Sequence, residues 1–155
     1  MVTLRPAPQD IRAWLADVPD PEIPVLSVID LGIIRDIFWE DDRLVVMVAP
    51  TYSGCPATRV IHEDIRAALI ARGIATPDIR TTLSPPWSST WISAEGRARL
   101  AAYGIAPPRA EGRPAACPHC GDPAVELISQ FGSTPCKSAW RCITCREPFD
   151  YFKCI

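Results

Sequence analysis

Several things are scarce in this 155-residue sequence, and each scarcity excludes a class of protein. No window approaches the ~18–20 consecutive apolar residues that span a bilayer. The opening stretch MVTLRPAPQDIRAWLADV lacks the basic n-region and unbroken apolar run of a secretory signal. Charge of one sign is not in excess: 16 basic against 18 acidic residues leave a formal net charge of −2. That is too little to draw the chain to nucleic acid or to an anionic membrane. Internal repeats are missing. Cysteine is nearly absent from the first two-thirds of the chain, where Cys55 stands alone before residue 104. These absences point to a cytoplasmic protein with neither nucleic acid nor membrane as partner. In a reducing compartment, clustered cysteines signal metal or thiol chemistry before disulfides.

What is present is the balance of a globular chain, 48% hydrophobic and 22% charged. Its 17 prolines are about twice the usual ~5% share and sit in short clusters, as joints between small elements. The composition changes near residue 104, after which six cysteines follow in under fifty residues. The stretch GIAPPRAEGRPAA reads as a linker. The expected organisation is therefore a domain over 1–104, a linker over 105–116 and a second domain over 117–155.

In the first domain, residues 9–18 place Ile11, Trp14, Leu15 and Val18 on one helical face, and Pro19 and Pro21 stop that helix. Two β-rich runs, 32–39 and 43–49, flank a short acidic turn and read as a hairpin. Helical spacing returns over 56–72, with Gly73 as C-cap. Residues 78–83 alternate as a third strand, and a last helix covers about 93–103. The order α-β-β-α-β-α predicts an α/β (α+β) domain, a small mixed sheet with packed helices.

The second domain carries CPHC at 117–120 and CITC at 142–145. Two residues between cysteines let both thiolates of a knuckle reach one ion at ~2.3 Å, and two knuckles complete the tetrahedron that zinc accepts. Cys117, Cys120, Cys142 and Cys145 are thus the expected ligands of a structural zinc. Strand-like runs at 125–131, 137–141 and 148–154 complete a zinc-ribbon pattern. A segment this short lies near the ~40-residue limit below which chains need a metal, disulfides or a partner to fold. His119 sits inside the first knuckle as an exposed residue. Cys136 reads as a packed thiol, a further ligand or a reactive group beside Lys137. Cys154 reads as a small hydrophobe ending a strand. Four basic residues (Lys137, Arg141, Arg146, Lys153) face four acidic ones (Asp122, Glu126, Glu147, Asp150), so this ribbon is a poor phosphate binder.

Cys55, in TYSGCPATRVIHEDI, precedes a proline at a helix start and is expected at or near the N-cap. There the helix dipole favours a thiolate. A buried structural cysteine is the equal alternative. The turn DPEIP presents Asp20 and Glu22, and Asp30 follows; these suit a cation, or simply cap a turn. His62 points away from Cys55 on a helical wheel, which argues against a Cys–His dyad. Trp87 and Trp91, in a Pro/Ser loop, make a partner surface or cap the sheet.

The runs DPEIPVLSVIDLGIIRDI and TYSGCPAT together resemble the signature of the MIP-type cytosolic iron–sulfur assembly domain family. The run SPPWSSTWISAEGRARLAAYGIAPP and the cysteine-rich tail resemble that family's phenylacetate-degradation branch, encoded with the phenylacetyl-CoA epoxidase. The match covers nearly the whole chain. It implies a maturation factor, not a turnover enzyme, whose clients are the reductase and oxygenase components of that epoxidase. The reductase carries a [2Fe–2S] cluster and is the expected target. The family loop places its reactive cysteine at Cys55, a transient ligand for iron or an iron–sulfur cluster, with Asp20, Glu22, Thr51, Ser53 and Cys136 in support. Because such clusters take four protein ligands, sharing with Cys136 or with a second copy in a homodimer is implied. Two other readings stay open: a non-catalytic adaptor within the oxygenase complex, and a thiol enzyme using Cys55 as nucleophile. The latter lacks a nearby base and a glycine loop for a CoA group.

Overall fold

The computed structural model describes residues 5–154. The chain divides into two compact units, Met1–Trp87 and Ser88–Ile155.

The first unit begins with helix α1, Pro8–Leu15. Its proline takes the first helical position, where a missing N–H costs nothing, and the Asp10 carboxylate accepts from the Ala7 N–H at 3.3 Å. Ile11 and Leu15, one turn apart, are fully buried. Strands β1 (Ile34–Glu40) and β2 (Arg43–Val48) form an antiparallel hairpin, with Ile34 opposite Val48 and Glu40 opposite Arg43. Its two-residue turn works because Asp41 takes a φ of 53°, a conformation that Asp tolerates better than most residues. Helix α2 (Thr58–Ala71) then crosses over to β3 (Asp78–Thr81), which lies parallel to β2. The sheet order is β1-β2-β3. β2 is central, and its Leu44, Val45, Val46 and Val48 are all buried, as expected for a strand covered on both faces. α1 packs on β1 and on α2, and α2 packs on β3, burying Ile61, Ile65 and Leu69.

The second unit opens with a 3₁₀ turn, Ser89–Trp91, and helix α3, Ala94–Ala102, capped by Ser93 Oγ accepting from the Gly96 N–H at 2.9 Å. Strand β4 is two residues long, Ile105–Ala106, and runs parallel to the last strand. Strands β5 (Val125–Ser129), β6 (Lys137–Cys142) and β7 (Pro148–Phe152) follow as an antiparallel meander, giving the order β4-β7-β6-β5. Val125, Cys117, Cys142, Phe149, Tyr151 and Ala106 form its core, with Trp140 packed edge-on against Tyr151.

The predicted α/β fold with an appended ribbon is what the structure shows, with three α-helices and two small sheets among the described residues. The expected linker differs. Its first residues are strand β4, the Arg97 guanidinium holds the carbonyls of Ser89 and Pro108 at 2.8 Å each, and the Arg109 N–H donates to the Tyr151 hydroxyl at 3.1 Å. Proline and glycine content signals only the absence of long regular elements. It does not exclude a short strand on the edge of a sheet formed further along the chain. The helix expected from residue 56 also starts later, at Thr58, because Pro56 and Ala57 form a turn closed by the Thr58 N–H on the Cys55 carbonyl at 3.1 Å.

Candidate functional site

The cysteine cluster is built by two knuckles of matching geometry. In the first, the Cys117 N–H donates to the Asp122 carbonyl at 2.8 Å; in the second, the Cys142 N–H donates to the Glu147 carbonyl at 3.0 Å. Each loop returns backbone N–H groups to sulfur, His119 to Cys117 Sγ at 3.3 Å and Cys145 to Cys142 Sγ at 3.4 Å. The residue after each second cysteine is left-handed: Gly121 at φ 79° and Arg146 at φ 67°. Glycine adopts that conformation freely, whereas arginine pays for it.

The four Sγ atoms all lie within 4.8 Å of one another. The Cys117–Cys145 and Cys120–Cys142 separations are 3.8 and 3.6 Å. A tetrahedron of thiolates at ~2.3 Å from a zinc ion has edges of about 3.8 Å. The residues therefore fit the group. The thiols differ in acidity. The backbone N–H of Cys145, followed by weaker donors, draws Cys142 down to about 7. At Cys145 a backbone hydrogen bond from Glu147 acts downward, but burial and the neighbouring sulfurs prevail and push it up to about 12. Among the described residues this is the one grouping of three or more metal-binding side chains. His119 stays outside it, edge-on to Phe149 with Nε2 3.4 Å from the Pro148 carbonyl. Cys136 stays outside as well, buried with its sulfur 3.0 Å from Thr134 Oγ1. Cys154, expected as a strand-end hydrophobe, is exposed beyond the end of β7, and Ser89 Oγ donates to its sulfur at 3.6 Å.

The second constellation lies at one end of the first unit's sheet. Ile34 faces Val48, and Val48 faces Thr81, so the segments entering β1, leaving β2 and leaving β3 all gather there. The Ala49 N–H donates to the Ile33 carbonyl at 2.8 Å, and the Thr82 N–H to the Val48 carbonyl at 2.9 Å, extending the alignment past the strands. Both sequence signatures, 20–34 and 51–65, are thus brought to the carboxyl end of the parallel pair, where open α/β sheets place ligands. Spacing along the chain does not join the two; only the resemblance sets Asp20 and Glu22 in support of Cys55. The signal that could have joined them is the short hairpin turn, which sets Ile34 opposite Val48.

Within this end, Cys55 is partly exposed and lies two residues before the N-cap, Ala57, close to the helix start but not at the cap itself. The loop closes on itself through the Cys55 N–H and the Tyr52 carbonyl at 3.3 Å, with Gly54 at φ 80°. Thr51 is partly exposed in the same loop and Ser53 exposed. The Asp20 carboxylate is buried and accepts from the N–H groups of Glu22 and Ile23 at 2.9 and 2.7 Å, so it shapes the turn that presents Glu22. Asp30 and Ser27 cap each other reciprocally, at 3.1 and 3.0 Å. His62 Nε2 lies 3.3 Å from Thr81 Oγ1, and burial, then the Arg66 charge, holds its imidazole below the usual histidine range. Trp87 is buried and donates from Nε1 to the Leu31 carbonyl at 2.8 Å; it caps the sheet end and is no partner surface.

Comparison with known proteins defines the class first. The model of "Iron-sulfur cluster assembly protein" matches residues 8–73, and that of "PaaD zinc beta ribbon domain" matches residues 106–153. A protein of Escherichia coli K12, described as one of the subunits of a putative 1,2-phenylacetyl-CoA epoxidase, is 44% identical over 97% of this chain and 94% of its own. The chain belongs to the PaaD family, an iron–sulfur assembly-type domain joined to a zinc ribbon. The "Fe-S protein maturation auxiliary factor YitW" of Bacillus subtilis is 26% identical over 59% of this chain and 91% of its own. A conserved hypothetical protein of Thermotoga maritima shares the fold, with 27% identity, a TM-score of 0.53, and 64% of this chain and 98% of that one covered. So does a DUF59 domain of Bacillus anthracis, at 24% identity and a TM-score of 0.54 over 59% and 89%.

Proposed function

We propose that this protein is a maturation factor for a metal centre of the phenylacetyl-CoA epoxidase system, acting on the [2Fe–2S] reductase component through Cys55. One observation carries the reading. The chain is 44% identical over nearly its full length to a protein named as part of that epoxidase, and its residues 8–73, Cys55 among them, match an iron–sulfur assembly model. The gathering of both signatures at one sheet end supports it, because a loop in that position can offer Cys55 to a bound ion or a client.

In this reading the Cys55 thiolate takes one coordination position on incoming iron or on a cluster. A client cysteine then displaces it as a thiolate, without any change in oxidation state. One protein ligand out of the four that such clusters take keeps the cargo labile, as transfer requires. The remaining positions are taken by the client or by Cys55 of a second copy; the buried Cys136 thiol, engaged with Thr134, is less suited to share them. Cys117, Cys120, Cys142 and Cys145 hold a structural zinc, which leaves no position for substrate. The protein acts in the cytoplasm and is not itself an enzyme. No helix among the described residues is long and apolar enough to cross a membrane. The His62 ring lies against Thr81, and among the described residues no hydrogen bond joins it to Cys55, which weighs against a Cys–His dyad.

The test is coexpression of the reductase with Cys55→Ser, followed by iron and sulfide analysis of the purified reductase. A several-fold loss of both, with complex formation retained, is expected. A fully loaded reductase would remove the assembly role and leave the adaptor reading, which the relative's naming as a component of the epoxidase itself favours.

A further inference from the structure

The four knuckle sulfurs are not equally placed. Cys117 and Cys142, the first cysteine of each pair, are buried at 2% and 0% exposure. Each of their sulfurs accepts a backbone N–H, from His119 and from Cys145. Cys120 and Cys145, the second of each pair, lie at the surface, and Cys120 is the more open of the two. Close sulfur contacts run across the knuckles, 3.6 Å from Cys120 to Cys142 and 3.8 Å from Cys117 to Cys145. Each surface sulfur is therefore backed by a buried one from the other knuckle.

Such a site selects its reagent. Cysteine in a metal site is held as thiolate, the nucleophilic form of sulfur. Four thiolates on a divalent ion leave two negative charges, which turn away anions and favour a small neutral electrophile. Exposure admits that molecule at Cys120, while Cys117 and Cys142 stay covered. A sulfenic acid formed there condenses with a neighbouring thiol. The Cys142 sulfur, already 3.6 Å away, has only to close to the ~2.05 Å of a disulfide. Cys117 is meanwhile set against Cys145, so the second pair is left together.

We propose that the ribbon is an oxidation-sensitive lock, in which hydrogen peroxide enters at Cys120 and leaves a Cys120–Cys142 disulfide that releases the ion. The Cys120 thiolate attacks one peroxide oxygen; the S–O bond forms, the O–O bond breaks, and hydroxide leaves to become water with a solvent proton. The Cys142 thiolate then attacks the Cys120 sulfur; the S–S bond forms, the S–O bond breaks, and a second hydroxide leaves as water in the same way. Two thiolates lose two electrons in total, and one peroxide is reduced to two waters. The two thiolates that remain no longer complete a tetrahedron. The first unit keeps its own apolar core, so Cys55 stays on a folded domain while the ribbon opens. One consequence rests on the maturation reading: a client recognised through the ribbon is lost under oxidising conditions and regained after reduction.

The experiment treats the full-length, zinc-loaded protein with hydrogen peroxide. Free zinc is followed with a chromogenic chelator, and disulfide connectivity by mass spectrometry of the digested protein. Expected results are zinc release, Cys120–Cys142 as the first disulfide, and recovery of the bound ion after a dithiol reductant and zinc are added. Cys120→His supplies a nitrogen ligand that structural sites accept and removes the attacking sulfur, so release should slow several-fold. Cys55→Ser should release zinc at the wild-type rate. Brief labelling of the wild type with iodoacetamide, also small and neutral, needs no variant and should mark Cys120 ahead of the other three ligands. Zinc retained under peroxide overturns the lock. Equal release from zinc-loaded Cys120→His, release abolished in Cys55→Ser, or another ligand labelled first overturns the entry point. A first-formed Cys117–Cys120 bond overturns the cross-knuckle partner. Zinc release is read on the isolated protein, whereas the maturation reading is tested by reductase loading in Cys55→Ser, so failure of either is told from failure of the other.

Discussion

The two units reach order by different means. The first buries a continuous apolar set, from Ile11 and Leu15 through Leu44, Val45 and Val46 to Ile65 and Leu69, at 0% exposure in every case. The second has a core of a few aromatic and small residues wrapped on two cysteine knuckles. Burial of an apolar face is distributed, so the loss of one residue is partial. A tetrahedral ion is concentrated, so the loss of one ligand removes most of what holds the shape. The unit that carries the proposed chemistry has a continuous apolar core of its own. The four cysteines of the other would fill a tetrahedral ion and leave it no open position.

That contrast can be broken at four points. Removing the metal with a chelator, or substituting Cys142→Ser, is expected to have the largest effect, since structural zinc supplies on the order of 10–16 kcal/mol in small modules. Hydrogen exchange should show residues 125–152 losing protection while the sheet of the first unit keeps it. Retained protection in β6 after full chelation would contradict the fit of the site to zinc. Ile65→Ala should cost about 2–5 kcal/mol in the first unit, with zinc content by elemental analysis unchanged. Equal loss of order in both units would show that the two do not fold independently.

The third point acts in the opposite direction. Arg146→Gly relieves about 1–2 kcal/mol of left-handed strain against about 0.5–1 kcal/mol of added unfolded-state freedom. A small net gain in the ribbon's thermal stability should follow, and a lower melting temperature would count against the strain. The smallest effect concerns pH. His62 is held below its ordinary value of 6.5 by burial, so the folded state prefers the neutral ring. Its contribution is present above that value and is lost as pH falls through the lowered folded-state value. His62→Gln should flatten the acid limb of the first unit's stability curve, as read from denaturant titrations at several pH values.

Much of this was legible in the chain itself. The amphipathic spacing of α1 and α2, the β1–β2 hairpin and both knuckles follow from periodicity and from cysteine spacing, which are local signals. Three features were not legible, for three reasons. The strand Ile105–Ala106 is too short to show a period, and its partner β7 lies more than forty residues ahead. The start of α2 slips from Pro56 to Thr58 because a closed turn competes with the first helical turn. Trp87, in its Pro/Ser loop, reads equally as a partner surface or as a cap on the sheet, and the choice of the cap depends on its burial and on a hydrogen bond to the distant Leu31 carbonyl. Of the expected site residues, the four knuckle cysteines could be grouped from spacing alone. The company kept by Cys55 depends on strand register, which appears only once β1, β2 and β3 are laid side by side.

The two-residue strand β4 bears on how such a protein could have been put together. Its pairing with β7 places the ribbon's outer edge upstream of its first cysteine, and α3 leads directly into it. A genetic crossover at the start of the cysteine motif would deliver a ribbon with β7 stripped of a neighbour and with the Tyr151 hydroxyl deprived of the Arg109 N–H. A crossover after Trp87 would carry helix, edge strand and knuckles as one inheritable cassette. A fusion of an assembly domain to this ribbon could therefore be grafted onto other scaffolds only if the join falls some thirty residues ahead of the first cysteine of the motif that makes the ribbon recognisable.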